Sequence, residues 1–128
     1  METYAGTFKS PRAISLDAAT GNLVVADSAN NKIVTLSYTR GGGFTELATL
    51  APAGLSMPEG VARDANGNYW IGDTGNDRVL IVSPSGAVLQ TITAAAGKAL
   101  SEPTSITVDG RTVYVSDTNN DRVLVYRI

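Results

Sequence analysis

The stretch Met57–Pro84, MPEGVARDANGNYWIGDTGNDRVLIVSP, decides the fold. It holds three short apolar runs: GVAR at 60–63, YWIGD at 69–73 and RVLIVS at 78–83. β-Branched and aromatic residues dominate these runs, as strands require. Between them lie DANGN at 64–68 and TGND at 74–77, rich in the Asn, Asp and Gly that make tight turns. The runs are apolar at consecutive positions instead of alternating. Both faces of such a sheet are therefore expected to be buried.

Working outward, the same pattern occurs twice more. Ser10–Tyr38 reads SPRAISLDAATGNLVVADSANNKIVTLSY, and Glu102–Ile128 reads EPTSITVDGRTVYVSDTNNDRVLVYRI. Pro11, Pro58 and Pro103 open the three copies, and Asp27, Asp73 and Asp117 end the second run of each. A period of roughly 45 residues with this strand content suits a four-stranded propeller blade. A fourth strand is expected at Phe44–Leu50 in the first copy and Ala87–Ile92 in the second, each after a glycine-containing hairpin. TAAAGKAL, ending at Leu100, then reads as the connection between the second and third blades. The third copy has no fourth strand of its own, whereas Glu2–Phe8 (ETYAGTF) precedes the first copy and reads as an outer strand without a blade. The fold predicted is thus all-β, with blade 1 at about 11–50, blade 2 at about 58–92 and blade 3 at about 103–128. Strand 2–8 is expected to complete the third blade of a partner chain. The copies differ too much for an idealised, identical-repeat design.

The pattern of proline, small residue, aspartate turn, Gly-Asn, apolar pair, then Asp-[Ser/Thr]-x-Asn-x-[Arg/Lys] resembles the NHL repeat. The second copy carries nearly all of it, at Pro58, Gly60, Asp64, Gly67, Asn68, Asp73, Asn76 and Arg78. The first has Ala13 and the third Ser105 in place of the glycine. The resemblance implies a propeller, typically six-bladed, of which three blades are half. A three-bladed fan exposes an apolar face at each end, and nothing in either end copy looks like a polar cap. The expectation is a homodimer in which two copies close a six-bladed ring, with strand exchange at the N-terminus. The alternative is a part of a longer propeller.

Within each repeat, Asp27, Asp73 and Asp117 are expected to accept backbone N–H bonds across the polar turn and to pair with Lys32, Arg78 and Arg122. An arginine forms a bidentate pair and lysine does not, so blade 1 should hold this contact more loosely. A ring of such carboxylates does not converge the six to eight oxygens that calcium takes, so these six residues are read as structural. The post-proline positions Arg12, Glu59 and Thr104 vary in chemistry on a fixed scaffold. With Asn30, Asn76 and Asn120 in the turns, they are the candidate binding residues of one face. Arg63 replaces an apolar residue, its counterparts being Leu16 and Val108; it is a further candidate binding residue and is expected to snorkel to the channel or to pair with Glu59.

Composition narrows the chemistry. The 128 residues contain no cysteine and no histidine. That removes disulfides, thiolate sites and the usual general base and transition-metal ligand. No catalytic residue, metal site or cofactor is expected. Ten basic residues against twelve acidic ones, without a basic run, argue against nucleic acid. No apolar stretch approaches the ~20 residues of a membrane-spanning helix, and Met1–Ser10 does not read as a secretory signal. The expectation is a self-assembling, non-catalytic module that presents loops to a protein, peptide or glycan. The alternative is part of a lyase or lactone hydrolase propeller.

Overall fold

The computed structural model describes all 128 residues as three blades side by side. The first blade is β1 (Pro11–Leu16), β2 (Leu23–Asp27), β3 (Lys32–Thr39) and β4 (Gly43–Leu50), hydrogen-bonded in that order. The second is β5 (Gly60–Arg63), β6 (Tyr69–Asp73), β7 (Arg78–Val82) and β8 (Val88–Ile92). TAAAGKAL is not a plain loop but folds a small hairpin, β9 (Ala94–Ala95) with β10 (Lys98–Ala99). The third blade has three strands: β11 (Pro103–Asp109), β12 (Thr112–Asp117) and β13 (Arg122–Arg127). Neighbouring strands are antiparallel throughout.

The turn joining the second and third strands is the same in every blade. One turn of 3-10 helix covers Ser28–Asn30, Thr74–Asn76 and Thr118–Asn120. A left-handed residue follows, Asn31, Asp77 or Asp121, with φ of 52°, 53° and 53°. Only Asn, Asp and Gly enter that region readily, so the sequence supplies an Asn or Asp at each copy. This geometry sets Asp27 opposite Lys32, Asp73 opposite Arg78 and Asp117 opposite Arg122.

The core lies between blades rather than within them. Val24, Ala26 and Ile33 of blade 1 pack on Val61, Tyr69, Ile71, Leu80 and Val82 of blade 2. The opposite face of blade 2, with Trp70, Val79 and Ile81, packs on Ile106, Val113, Val115 and Leu124 of blade 3. Each buried aliphatic side chain contributes about 1.5–3 kcal/mol of transfer free energy. Blades 2 and 3 meet backbone to backbone at their inner edges. A Cβ on Gly60 would stand 2.9 Å from the Thr104 carbonyl oxygen, and one on Gly72 3.0 Å from that of Pro103.

Glu2–Phe8 is not a strand. Gly6 turns the chain at φ +49° between Tyr4 and Phe8. They lie instead on blade 1, against a small cluster of Val25, Val34 and Leu36. Tyr4 packs against Phe8 and Phe44, with centroids 5.7 and 5.6 Å apart. Glu2 accepts from the Tyr38 hydroxyl and from the Gly41 N–H, the latter at 3.0 Å. Those bonds hold the Glu2 carboxyl below its usual range, that from Tyr38 most strongly.

Candidate functional site

Three side chains and one connector build the recurring unit at each blade. In blade 2, Asp73 Oδ1 accepts from the Ser56 N–H at 2.8 Å, while Oδ2 accepts from Asn76 Nδ2 at 2.9 Å and Arg78 Nε at 2.5 Å. In blade 3, Asp117 accepts from Ser101 N–H, Asn120 Nδ2 and Arg122 Nε at 2.8, 2.8 and 2.6 Å. In blade 1, Asp27 accepts from Lys9 N–H and Asn30 Nδ2, both at 2.7 Å, while Lys32 Nζ stands off at 3.8 Å. All three aspartates are fully buried. Burial alone would raise the Asp117 carboxyl, but the Ser101 N–H, Asn120 and Arg122 outweigh it and hold the group below its usual value.

This geometry differs from the sequence expectation in two ways. The backbone donor comes from the connector entering the blade, not from the polar turn. The arginines are not bidentate on the carboxylate: Nε binds aspartate, and Arg122 turns Nη1 and Nη2 to the carbonyls of Ala95 and Lys98. The Nδ2 groups of Asn30, Asn76 and Asn120 are already engaged within the fold. Each asparagine spends Nδ2 on its aspartate and on a connector carbonyl, of Thr7, Gly54 and Ala99 respectively. A buried carboxylate needs such donors, and the asparagine supplies one from the surface turn.

The connectors themselves repeat. Thr7–Ser10, Gly54–Met57 and Ala99–Glu102 make matching bonds and carry a left-handed last residue, with φ of 55° at Ser10, 49° at Met57 and 50° at Glu102. Leu55 and Leu100 are buried between blades, and Phe8 holds the corresponding place on blade 1. The N-terminal segment is therefore built as an inter-blade connector. Sequence reasoning missed this because Thr7–Ser10 shares no residue in register with the other two, which have only a Leu-Ser pair in common.

The first strands stand side by side, β5 between β1 and β11, and form the concave wall of the fan. A cavity of about 750 Å³ opens along it, lined by Leu16, Asp17, Arg63, Asp64, Thr107 and Val108 among others. Arg63 does not pair with Glu59. Its Nη1 reaches Asp17 of blade 1 at 3.2 Å, its Nε donates to the Gly67 carbonyl at 2.9 Å, and its guanidinium lies 4.9 Å from the Tyr69 ring centroid. Asp17 also accepts from the Ala19 N–H and the Thr20 hydroxyl. Asp64 accepts from the Asn66 and Asn68 N–H groups and from Trp70 Nε1 at 2.8 Å. Both carboxylates are held by the turns they start, Asp17 also by a cross-blade cation and Asp64 by the indole of its own blade. Glu59 pairs with Arg12 at 3.8 Å across blades, both partly exposed. The Thr104 hydroxyl meets those of Ser116 and Thr118 at 3.1 and 2.6 Å. No group of three or more Asp or Glu side chains is arranged to hold a metal.

Blades fanned around a concave wall, each locked by a buried Asp–Asn–Arg/Lys cluster, define a β-propeller of NHL-repeat type. Similarity to known proteins agrees. The chain belongs to the SMP-30/gluconolactonase/LRE-like family, whose sequence profile matches residues 2–107, and residues 100–126 match the NHL repeat. No curated protein sequence matches. Among solved structures, a catalytically inactive virginiamycin B lyase from Staphylococcus aureus in complex with quinupristin aligns with a TM-score of 0.62 at 17% identity, over 98% of this chain and 43% of that one. A chain of a nidogen/laminin complex aligns with a TM-score of 0.67 at 21% identity, over 97% of this chain and 45% of that one. Hydrazine synthase of Kuenenia stuttgartiensis aligns with a TM-score of 0.70 at 17% identity, over 99% of this chain and 34% of that one. The chain thus spans less than half the length of these structures, and the likeness is one of fold.

Proposed function

We propose that this chain is a self-assembling half-propeller, in which two copies close a six-bladed ring without catalytic function of their own. The observation that carries it is a contrast at matched positions. Ile14 of blade 1 is 64% exposed, whereas its counterparts Val61 and Ile106 are 1% and 6% exposed. At the other end Val123 is 65% exposed, against 1% and 0% for Ile33 and Val79. Each open face carries the residues that a neighbouring blade covers elsewhere, and a second copy offers the complementary face at both ends. In the closed ring Arg12, Glu59 and Thr104 of both copies face a common rim, available to a protein, peptide or glycan.

Sedimentation of the 128-residue chain tests the proposal. The expected particle has twice the 13.3 kDa chain mass, and Val123→Glu halves it. Removal of residues 1–8 destabilises the assembly, since Thr7 and Phe8, the first half of the connector, go with them. A folded single copy at micromolar concentration overturns the proposal.

The family match favours a second reading: three blades of a larger propeller enzyme of the lyase or lactone hydrolase kind, with further blades covering the same two faces. Calcium or zinc raising the melting temperature supports that reading, because such enzymes hold a metal in the channel.

A further inference from the structure

Two hydrogen bonds cross the internal junctions in the same place. The Met57 N–H of the second connector donates to Asn31 Oδ1 of blade 1 at 2.8 Å. The Glu102 N–H of the third connector donates to Asp77 Oδ1 of blade 2 at 2.8 Å. In each case the acceptor is the left-handed residue that ends the 3-10 turn of the preceding blade, and the donor is the left-handed residue that ends the next connector. The two remaining members of these sets are Ser10 and Asp121. The Ser10 N–H has no acceptor in the chain, and the Asp121 carboxylate has no donor; both are exposed. They leave one donor and one acceptor unmatched, at opposite ends of the fan.

We infer that Asp121 of one copy accepts the Ser10 N–H of a second copy, and so sets the register of the junction between copies. This rests on the self-assembly proposal and adds its geometry. The leading face of blade 1 has a groove of about 380 Å³ between Phe8, Ile14, Leu23, Leu36 and Phe44. The same register lays Val123, Val125 and Tyr114 over that face, where Val79, Ile81 and Trp70 of blade 2 lie over blade 3. The inner edge also accommodates it. Ser105 and Ser116 replace Gly60 and Gly72 there, but Ala13 and Ala26 hold the same positions at the first junction, which closes with Cβ atoms present. Lys9 and Arg12 flank Ser10 in the chain, so the charge around the donor suits a carboxylate.

Asn31 shows that an amide oxygen takes the place of the Asp77 carboxylate at the same 2.8 Å, which supplies the test. Asp121→Gly removes the acceptor and keeps the left-handed backbone; Asp121→Asn keeps the acceptor. Sedimentation over a concentration series reads the dimer dissociation constant of each. With two equivalent junctions per ring, Asp121→Gly is expected to weaken the dimer about ten- to hundredfold, and Asp121→Asn less than about threefold. Hydrogen exchange at the Ser10 amide is expected to be slow in the wild-type dimer and fast in the glycine variant. A glycine variant that dimerises as tightly as wild type overturns the register while self-assembly stands. An asparagine variant as weak as the glycine one also overturns it. A wild-type chain that never dimerises overturns the self-assembly proposal itself.

Discussion

The trailing face of blade 2 and the trailing face of blade 3 differ far more in environment than in residue type. Trp70, Val79 and Ile81 are buried against blade 3, while Tyr114, Val123 and Val125 at the same positions meet solvent. The leading faces make the same contrast, with one difference. Blade 1 has its connector folded back, so Phe8 and Tyr4 shelter part of it, while Ile14 and Leu16 stay bare. Burial here is a property of position in the array. The sequence of a blade prepares both faces for a neighbour, and only the blade with two neighbours receives the full stabilisation.

The largest expected effect comes from truncating the middle blade. Trp70→Ala opens a cavity between blades 2 and 3 and leaves Asp64 Oδ2 without its indole donor. A loss of about 3–5 kcal/mol is expected, measured by urea denaturation. The matched substitution Tyr114→Ala is expected to cost less than about 1 kcal/mol at concentrations where the chain is single. Its cost should rise with protein concentration as a second copy covers the face. Equal, concentration-independent losses at the two positions would erase the contrast between covered and open faces.

Removing the aspartate sharpens the comparison at the connectors. Asp73→Ala strips the acceptor from Ser56 N–H, Asn76 and Arg78, where the connector joins two blades. About 3 kcal/mol is expected to be lost, since part-buried donors, one of them a guanidinium, are left unpaired. Asp27→Ala removes the matching group where the connector is terminal and Lys32 is distant. There the freed segment is able to find water, and the loss is expected to be about half as large. Thermal melts of the two variants side by side give the ratio.

The blades were legible because repetition amplifies weak signals: one LVVAD proves little, but LVVAD, YWIGD and VYVSD in register fix strands, turns and the buried aspartate together. The lysine–arginine difference was legible for the same reason, since Lys32 and Arg78 sit at one aligned position. What escaped depends on the path of backbone between repeats. TFKS shares no residue in register with GLSM and ALSE, which share only Leu-Ser, yet the N–H and carbonyl groups of all three make the same bonds. Backbone chemistry is blind to side chains, so alignment by residue type passes over it. Tyr4 and Phe8 suggested a strand by composition, and the turn at Gly6 decided otherwise. The Asn or Asp ending each 3-10 turn was a readable signal for the junction bond, hidden because such residues are expected in any turn. Arg63 was conspicuous, but its partner Asp17 lies 46 positions away on the neighbouring blade, which only the stacking of first strands brings near.

Acid stability extends the comparison to blade 3. The Asp117 carboxyl titrates below its usual value of 3.8 in the folded chain. Its contribution is therefore present above the unfolded value and lost as pH falls through the folded one. Asp117→Asn takes this group out of the titration, so the fall in stability below pH ~4 should become shallower, at the expense of stability near neutrality. Melts between neutral and acid pH read both changes. An acid limb as steep as in the wild type would show that the cluster of blade 3 does not set it.

The smallest effect is expected at Lys32. Its ammonium stands 3.8 Å from Asp27, where Arg78 and Arg122 reach their aspartates at 2.5 and 2.6 Å. In blade 3 the guanidinium also binds two carbonyls of the connecting hairpin. Lys32→Arg should close the distance to Asp27, and its free Nη groups should reach the carbonyls of the N-terminal segment. A gain of about 0.5–1 kcal/mol is expected, read as a small rise in melting temperature. The sign matters more than the size. A gain that vanishes when residues 1–8 are removed places the benefit in the connector, as at blade 3. A gain that persists places it in the Asp27 contact alone, and the first blade would then differ from the others in how its turn, rather than its connector, is held.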